Sequence, residues 1–354
     1  MTTKNILIFG AGLSGLVSAI NLAREKYNVT IYEKEKEIGG TQKCHPSTNM
    51  TPMHIQQMQS YIGIEIESCF KQLDEFRGYI GPKKIIFSTK NLYVVERGPR
   101  KSSLDYLLYK TALKEGVNFE FSHPLTPEKL KTVPENSIIA TAGYSHIVSA
   151  LHLPYVTFKQ YDTHMKTNLE NITIAYFGGY TSDYGYISTK NELLSAQLSG
   201  SLNLSKKSLK KFTDLVKETE GIELDGWSSI VSYFPKKARL FTKFARKTYV
   251  LAGDVAGFLD PFFGFGINGA LISGKIAAMS ITSKQKALQE FKQFAPHLNQ
   301  DLLLHTIYWH LPLKKLIAMK VHDNYLSLVK QSIPGFTDED WLNIVSIVDE
   351  KTSS

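Results

Sequence analysis

The chain has 354 residues, 43% of them hydrophobic and 21% charged, with a net charge of +8 at neutral pH. That balance excludes intrinsic disorder, collagen-like structure and a coiled coil as overall descriptions. Two cysteines, Cys44 and Cys69, exclude a disulfide-rich scaffold and any four-cysteine zinc or iron–sulfur site. The basic residues fall in small clusters, such as Lys206-Lys207 and Lys243-Phe244-Ala245-Arg246-Lys247, with no accompanying nucleic-acid motif. No nucleic-acid partner is therefore expected. The start runs straight into a strand pattern, and no apolar run approaches the roughly 20 residues that span a bilayer. The expectation is a cytoplasmic protein, or one peripheral on the inner face of a membrane.

Residues 5–9, Asn-Ile-Leu-Ile-Phe, form a short apolar run suited to a buried parallel strand. Gly10-Ala11-Gly12-Leu13-Ser14-Gly15 follows, then a helical stretch with Leu16, Ala19, Ile20 and Ala23 on one face. Asn28–Tyr32 reads as a second strand, ending at Glu33, 18 residues after Gly15. Gly10 allows a tight turn, Gly12 lets backbone approach a pyrophosphate, and Gly15 lets helix and strand pack closely. The helix start offers free N–H groups and a positive dipole end to phosphates. Glu33 is placed to accept hydrogen bonds from a ribose, and its charge argues against a 2′-phosphate there.

Beyond Glu33 come a charged loop starting at Lys34, then Gly39-Gly40, Cys44 and His45. Leu92–Arg97 reads as a strand, and Ser102 or Ser103 as the cap of a helix carrying Leu104 and Asp105. Residues 137–143, Ser-Ile-Ile-Ala-Thr-Ala-Gly, read as a strand and turn. Residues 155–248 alternate in strand style around a polar helix near 205–220. Tyr249–Leu251 leads into Ala252-Gly253-Asp254-Val255-Ala256-Gly257-Phe258. Then come Asp260-Pro261-Phe262-Phe263-Gly264-Phe265-Gly266-Ile267-Asn268 and an apolar helix through Ala278. Residues 286–354 read as helices. His305, Trp309 and His310 there read as a packed face, and the apolar and basic run 311–320 as a cover over the substrate domain or a membrane-facing surface.

The strand-ending Glu33 with its trailing Gly-Gly resembles FAD-binding flavoproteins of the two-dinucleotide-binding-motif type. The segment from Gly253 to Ala278 resembles the geranylgeranyl reductase family, within the superfamily that includes para-hydroxybenzoate hydroxylase. The resemblance spans roughly residues 5–285, specific at its two ends and loose between them. It implies an α/β fold: a Rossmann-like FAD-binding domain, an inserted antiparallel β-sheet substrate domain and a C-terminal helical segment. The boundaries expected are 1–82, 98–150 and 249–285 for the FAD domain, 83–97 and 151–248 for the substrate domain, and 286–354 for the helical region.

FAD is the implied cofactor. Its implied contacts are Gly10, Gly12, Gly15, Glu33, Lys34 and Gly40 on the dinucleotide side. Arg100 is the phosphate-contacting arginine by spacing, with Arg97 second. Around the flavin the resemblance implies Gly253, Asp254, Pro261, Gly264, Gly266, Ile267 and Asn268, the last three starting a helix whose N–H groups face the N1–C2=O edge. Cys44 is a candidate proton donor. Tyr184, Tyr186, Phe262 and Phe263 are candidate walls of an apolar substrate pocket. The family's Pro-Xaa-Xaa-Tyr-Xaa-Trp-Xaa-Phe-Pro substrate motif survives here only as Tyr184 and Tyr186, so the substrate stays open. The implied activity is reduction of carbon–carbon double bonds in a prenyl lipid, with NAD(P)H or a ferredoxin-like protein as electron donor. A flavin-dependent monooxygenase or halogenase, and a non-catalytic flavin- or lipid-binding module, remain as alternatives.

Overall fold

The computed structural model describes the backbone of residues 4–41, 43–80, 83–142, 145–259 and 264–310. The calls on Pro261, Phe262 and Phe263, and on 311–354, lie outside these residues, as do the side chains of His305, Trp309 and His310.

Among the described residues the first sheet has six strands in the order Phe241–Phe244, Lys247–Leu251, Ile138–Ile139, Asn5–Phe9, Asn28–Tyr32 and Asn118–Glu120. All neighbours run parallel except the first pair. Ile6, Ile8, Val29, Ile31, Val250 and Leu251 are buried in it, as expected where both faces of a parallel sheet are covered. Two helices cover one region together. Leu13–Arg24 buries Leu13, Leu16, Val17 and Ile20. Gly266–Thr282 crosses it so closely that a Cβ on Gly274 would lie 2.6 Å from the Ser14 carbonyl oxygen. The Ser18 hydroxyl donates to the Gly274 carbonyl at 2.9 Å, which ties the two helices at the crossing.

A seven-stranded sheet runs Ser228–Pro235, Tyr155–Lys166, Leu193–Gly200, Gly185–Lys190, Ile172–Phe177, Glu75–Ile80 and Lys83–Phe87. It is antiparallel except where Ile172–Phe177 pairs with Glu75–Ile80. One face carries Ile174, Tyr176, Ile187, Ala196 and Leu198 and is sealed by helix Lys206–Glu220. That helix starts at Ser205, whose hydroxyl accepts from the Ser208 N–H, and ends at Gly221 in the left-handed region. It buries Phe212 and Val216 and leaves its lysines to solvent, as its apolar spacing dictates.

The expected boundary at 82–83 falls inside this sheet, because Glu75–Ile80 pairs with a strand almost a hundred residues later. Leu92–Arg97, expected in the substrate sheet, instead pairs with Ser47–Pro52 and Phe70–Gln72 in a third, three-stranded sheet. That small sheet is tied to the seven-stranded sheet on one hand and to helix Gly266–Thr282 on the other. The Thr48 N–H donates to the Ser195 hydroxyl at 2.7 Å, and the Asn268 amide donates to the Pro52 carbonyl at 2.7 Å.

Candidate active site

A cavity of about 770 Å³ opens between the six-stranded and seven-stranded sheets. Its lining includes Gly10, Gly12, Glu33 and Lys34, and, from the loop after Gly39, Gly40, Cys44 and His45. Arg97, Asp254 and Gly264 close one side, and Phe158, Gln160, Tyr184 and Gln197 form the opposite wall.

The glycine turn behaves as its spacing requires. Gly10 has a φ of +108°, and a Cβ there would sit 2.5 Å from the Ala140 carbonyl oxygen. A Cβ on Gly15 would sit 2.0 Å from the Gly10 oxygen, whereas one on Gly12 would meet nothing within 4 Å. Gly12 thus faces open cavity at the start of helix Leu13–Arg24, and no side chain caps that start. An uncapped, cavity-facing helix start fits a pyrophosphate, which would satisfy the leading N–H groups. Glu33 is buried, and its two oxygens accept from the backbone N–H groups of Ala11 at 2.7 Å and Glu35 at 3.0 Å. One acceptor position remains on each oxygen for a ribose. Lys34, beside it, pairs with Glu35 at 2.5 Å.

The arginine assignment is corrected. Arg100 lies outside the cavity, because Glu96 holds its Nε at 2.9 Å and the Asn191 carbonyl holds its Nη2 at 3.2 Å. Arg97 lines the cavity instead. It makes a two-point contact with the buried Asp105, Nε to Oδ2 at 2.7 Å and Nη2 to Oδ1 at 3.0 Å. Asp105 also accepts from the Gly98 N–H at 3.0 Å, so a helix first turn, a strand end and a glycine turn meet in one pair. Burial works against the Asp105 carboxylate, yet Arg97 holds it below the usual carboxylate range.

Gly253, with a φ of +70°, packs against Ser14, and its N–H donates to the Ser273 hydroxyl at 2.8 Å. This places Asp254 on the cavity wall. Burial pushes its carboxyl above the usual range, and the Arg97 charge pulls the other way. An acid in that position fits the hydroxyl groups of a ribityl chain, which would donate to it. Helix Gly266–Thr282 also starts without a side-chain cap. The side chains of Ile267 and Asn268 are buried away from the cavity. Asn268 is spent on Pro52, so only the first-turn N–H groups remain to face a cofactor edge.

Cys44 and His45 both line the cavity. Burial first, and the Asp162 charge second, push the Cys44 thiol up to about 12, so it holds its proton. Burial and then Arg97 push His45 down to about 4, so its imidazole is neutral. Its Nδ1 lies 2.9 Å from the Ser47 hydroxyl. Tyr184 is on the cavity wall, but Tyr186 lies behind it and donates to Asn49 at 3.1 Å. The substrate-side residues Phe158, Gln160, Gln197, Ser199, Ile230 and Tyr233 were not anticipated. Their signal was the two-residue alternation of strand Tyr155–Lys166, which puts Phe158, Gln160, Asp162 and His164 on one face.

Comparison with known proteins bears on the fold. Residues 8–55 match the model of the NAD(P)-binding Rossmann-like domain. Over 95% of this chain and 92% of the relative, the sequence is 22% identical to digeranylgeranylglycerophospholipid reductase of Methanococcus vannielii. A geranylgeranyl bacteriochlorophyll reductase-like structure from Thermoplasma acidophilum superposes with a TM-score of 0.64 and 17% identity, covering 97% of this chain and 96% of that one. A flavin-dependent brominase gives a TM-score of 0.62 and 13% identity, with 97% and 96% covered. These likenesses show the fold, with the reductase-like and the brominase structures each matched over 97% of this chain.

Proposed function

We propose that this protein is an FAD-dependent oxidoreductase that reduces carbon–carbon double bonds of a prenyl, geranylgeranyl-type lipid. The observation that carries the reading is one cavity joining the uncapped Gly12 helix start, Glu33, Arg97 and Asp254 to a wall where Phe158, Tyr184, Ile230 and Tyr233 stand beside Gln160 and Gln197. When bound, FAD supplies a hydride from its reduced N5. The residues of this chain do the rest. Gly12 and the following N–H groups receive the pyrophosphate, Glu33 the adenosine ribose, and Asp254 the ribityl hydroxyls. The start of helix Gly266–Thr282 directs its positive end at the ring.

Phe158, Ile230, Tyr233 and Tyr184 are suited to line an isoprenoid chain, holding one double bond over the ring. Isolated alkenes accept hydride poorly, so a proton must reach the neighbouring carbon. Cys44 keeps its proton through the physiological range and faces the cavity. It is the group we assign to that delivery. Reducing equivalents come from NAD(P)H or from an acidic ferredoxin-like partner, to which a net charge of +8 is complementary. Among the described residues no helix is long and apolar enough to cross a membrane, so access to a lipid would be from a membrane surface.

The test is anaerobic. Protein reconstituted with FAD and reduced with dithionite is given geranylgeraniol, and the product mass is read. A gain of two hydrogens per reduced bond is expected. Failure to bind FAD overturns the reading. Oxygen incorporation in air, without reduction under nitrogen, selects the monooxygenase or halogenase alternative suggested by the brominase-like fold.

A further inference from the structure

The side of the seven-stranded sheet turned toward the cavity carries a polar patch within an apolar frame. Strand register sets Gln160 between Ser199 and Ile230, and Asp162 opposite Gln197. Residues directly opposite, or two apart on one strand, share a face, so these five stand together. Gln160, Gln197 and Ser199 line the cavity, with Phe158, Ile230 and Tyr184 around them. Asp162 is buried and does not line it. The Gln160 amide nitrogen donates to the Asp162 carboxylate at 3.0 Å, and the Gln197 side chain hydrogen-bonds the same carboxyl.

An ionised carboxylate only accepts, so it turns the nitrogen end of each carboxamide toward itself. Each glutamine then keeps a carbonyl oxygen and a second N–H. The bond to Asp162 is the only one that the Gln160 side chain makes among the described residues. An acceptor and a donor side by side fit a hydroxyl, which donates to one carboxamide and accepts from the other. A hydrocarbon laid against the patch would leave these groups unpaired. A phosphate fares no better. Among the described residues no lysine or arginine of the seven-stranded sheet lines the cavity, and Asp183 adds a carboxyl beside Tyr184. The lining cations belong to other elements: Lys34 follows strand Asn28–Tyr32, and Arg97 ends strand Leu92–Arg97 and is held by Asp105.

We propose that Gln160 and Gln197, oriented by Asp162, determine the specificity of the site and select an isoprenoid whose polar end is a neutral hydroxyl rather than a phosphate. This rests on the reductase reading for the isoprenoid tail. Phe158, Ile230 and Tyr184 take the apolar chain, and the two carboxamides take the hydroxyl. Asp162 is a positioning residue, since it acts on the substrate only through the two glutamines. A chain-terminal alcohol and the free hydroxyl of a glycerol ether present the same donor and acceptor to the patch.

Equilibrium dialysis of the full chain, with FAD present, reads binding without turnover. At pH 8 Asp162 is a carboxylate, since burial raises it only to about 6. Three probes share one tail: farnesol, farnesyl monophosphate and farnesene. Farnesol should bind about tenfold more tightly than either of the others. Gln160→Leu and Gln197→Leu should each lose most of that preference while farnesene binding holds or tightens. Where a leucine variant does not fold, the asparagine variant, which withdraws the amide by one methylene, is read in the same way. Asp162→Asn should narrow the gap between farnesol and the monophosphate severalfold, whereas a merely structural loss would weaken all three probes alike. The glycerol ether of farnesol, run beside farnesol, separates the two hydroxyl sources by which binds more tightly. Equal binding of the three probes, tighter binding of the monophosphate, or an unchanged preference in both glutamine variants would overturn the proposal. Hydroxyl preference without reduction of geranylgeraniol would overturn the reductase reading and leave the subsite standing, and reduction without the preference would do the reverse.

Discussion

The two halves of the molecule solve the same packing problem differently. In the six-stranded sheet both faces are covered and apolar, and backbone atoms do the recognition: a turn at Gly10, an open approach at Gly12, a helix start without a cap. In the seven-stranded sheet one face is a core, with Tyr176 and Phe212 fully buried, and the other is a wall of side chains that meets the cavity. A backbone-built site tolerates few residue types, because a Cβ on Gly10 would lie 2.5 Å from the Ala140 oxygen and one on Gly15 2.0 Å from the Gly10 oxygen. A side-chain-built wall can change residue by residue while the core beneath it stays put. That contrast fits a glycine-rich stretch that matches a domain model over residues 8–55 and a seven-stranded sheet in which only Tyr184 and Tyr186 remain of the motif that the resemblance implied.

If the contrast is right, damage on the two sides should separate. The largest effect is expected from Arg97→Ala. It leaves Asp105 buried without its two-point partner, a change that costs about 3–5 kcal/mol in stability. FAD affinity should fall with it. The sign of the pH dependence follows from Asp105, whose folded-state pKa is depressed. Its stabilisation is present above the unfolded value of about 4 and is lost as pH falls through the lower folded value. Urea unfolding of the wild type between pH 5 and 2 should show that loss, and Arg97→Ala should show a smaller one. Next comes Phe212→Ala, which empties a fully buried site under the substrate sheet and should cost about 3–4 kcal/mol. Here FAD affinity, read by fluorescence titration below the unfolding transition, should change less than twofold. Equal losses of FAD from both variants would break the comparison.

The same contrast explains what was legible in the sequence. Strand, glycine turn, helix, strand and acid occupy consecutive residues, so Gly10, Gly12, Gly15 and Glu33 could be placed from spacing alone. Asp254 followed for the same reason, since Gly253 and the strand before it fix its exit. The substrate wall depends on register between strands far apart in the chain. Nothing local pairs Gln160 with Ser199, or Glu75 with Ile172. The boundary near residue 82 and the membership of Leu92–Arg97 were lost to that non-local pairing. Alternation within Tyr155–Lys166 did mark one face, but not which neighbour that face would meet.

Arg97 and Arg100 show the limit at its finest scale, and give the smallest effect. Both are basic, three residues apart, at the end of one strand. What separates them is the partner: Asp105, in the first turn of the next helix, captures Arg97, while Arg100 turns back to Glu96 and to the Asn191 carbonyl. The Arg100 side chain is 42% exposed, while the Glu96 carboxylate that it pairs with is buried. Arg100→Ala should therefore cost less stability than Arg97→Ala and leave FAD affinity within twofold of wild type. Glu96 is fully buried, and Ser102 at 2.7 Å and Asn191 at 2.6 Å both bond its Oε2, so Arg100→Ala leaves Oε1 without its partner. A large fall in FAD affinity in Arg100→Ala, with Arg97→Ala mild, would reverse the assignment and return the phosphate contact to the residue that spacing alone selects.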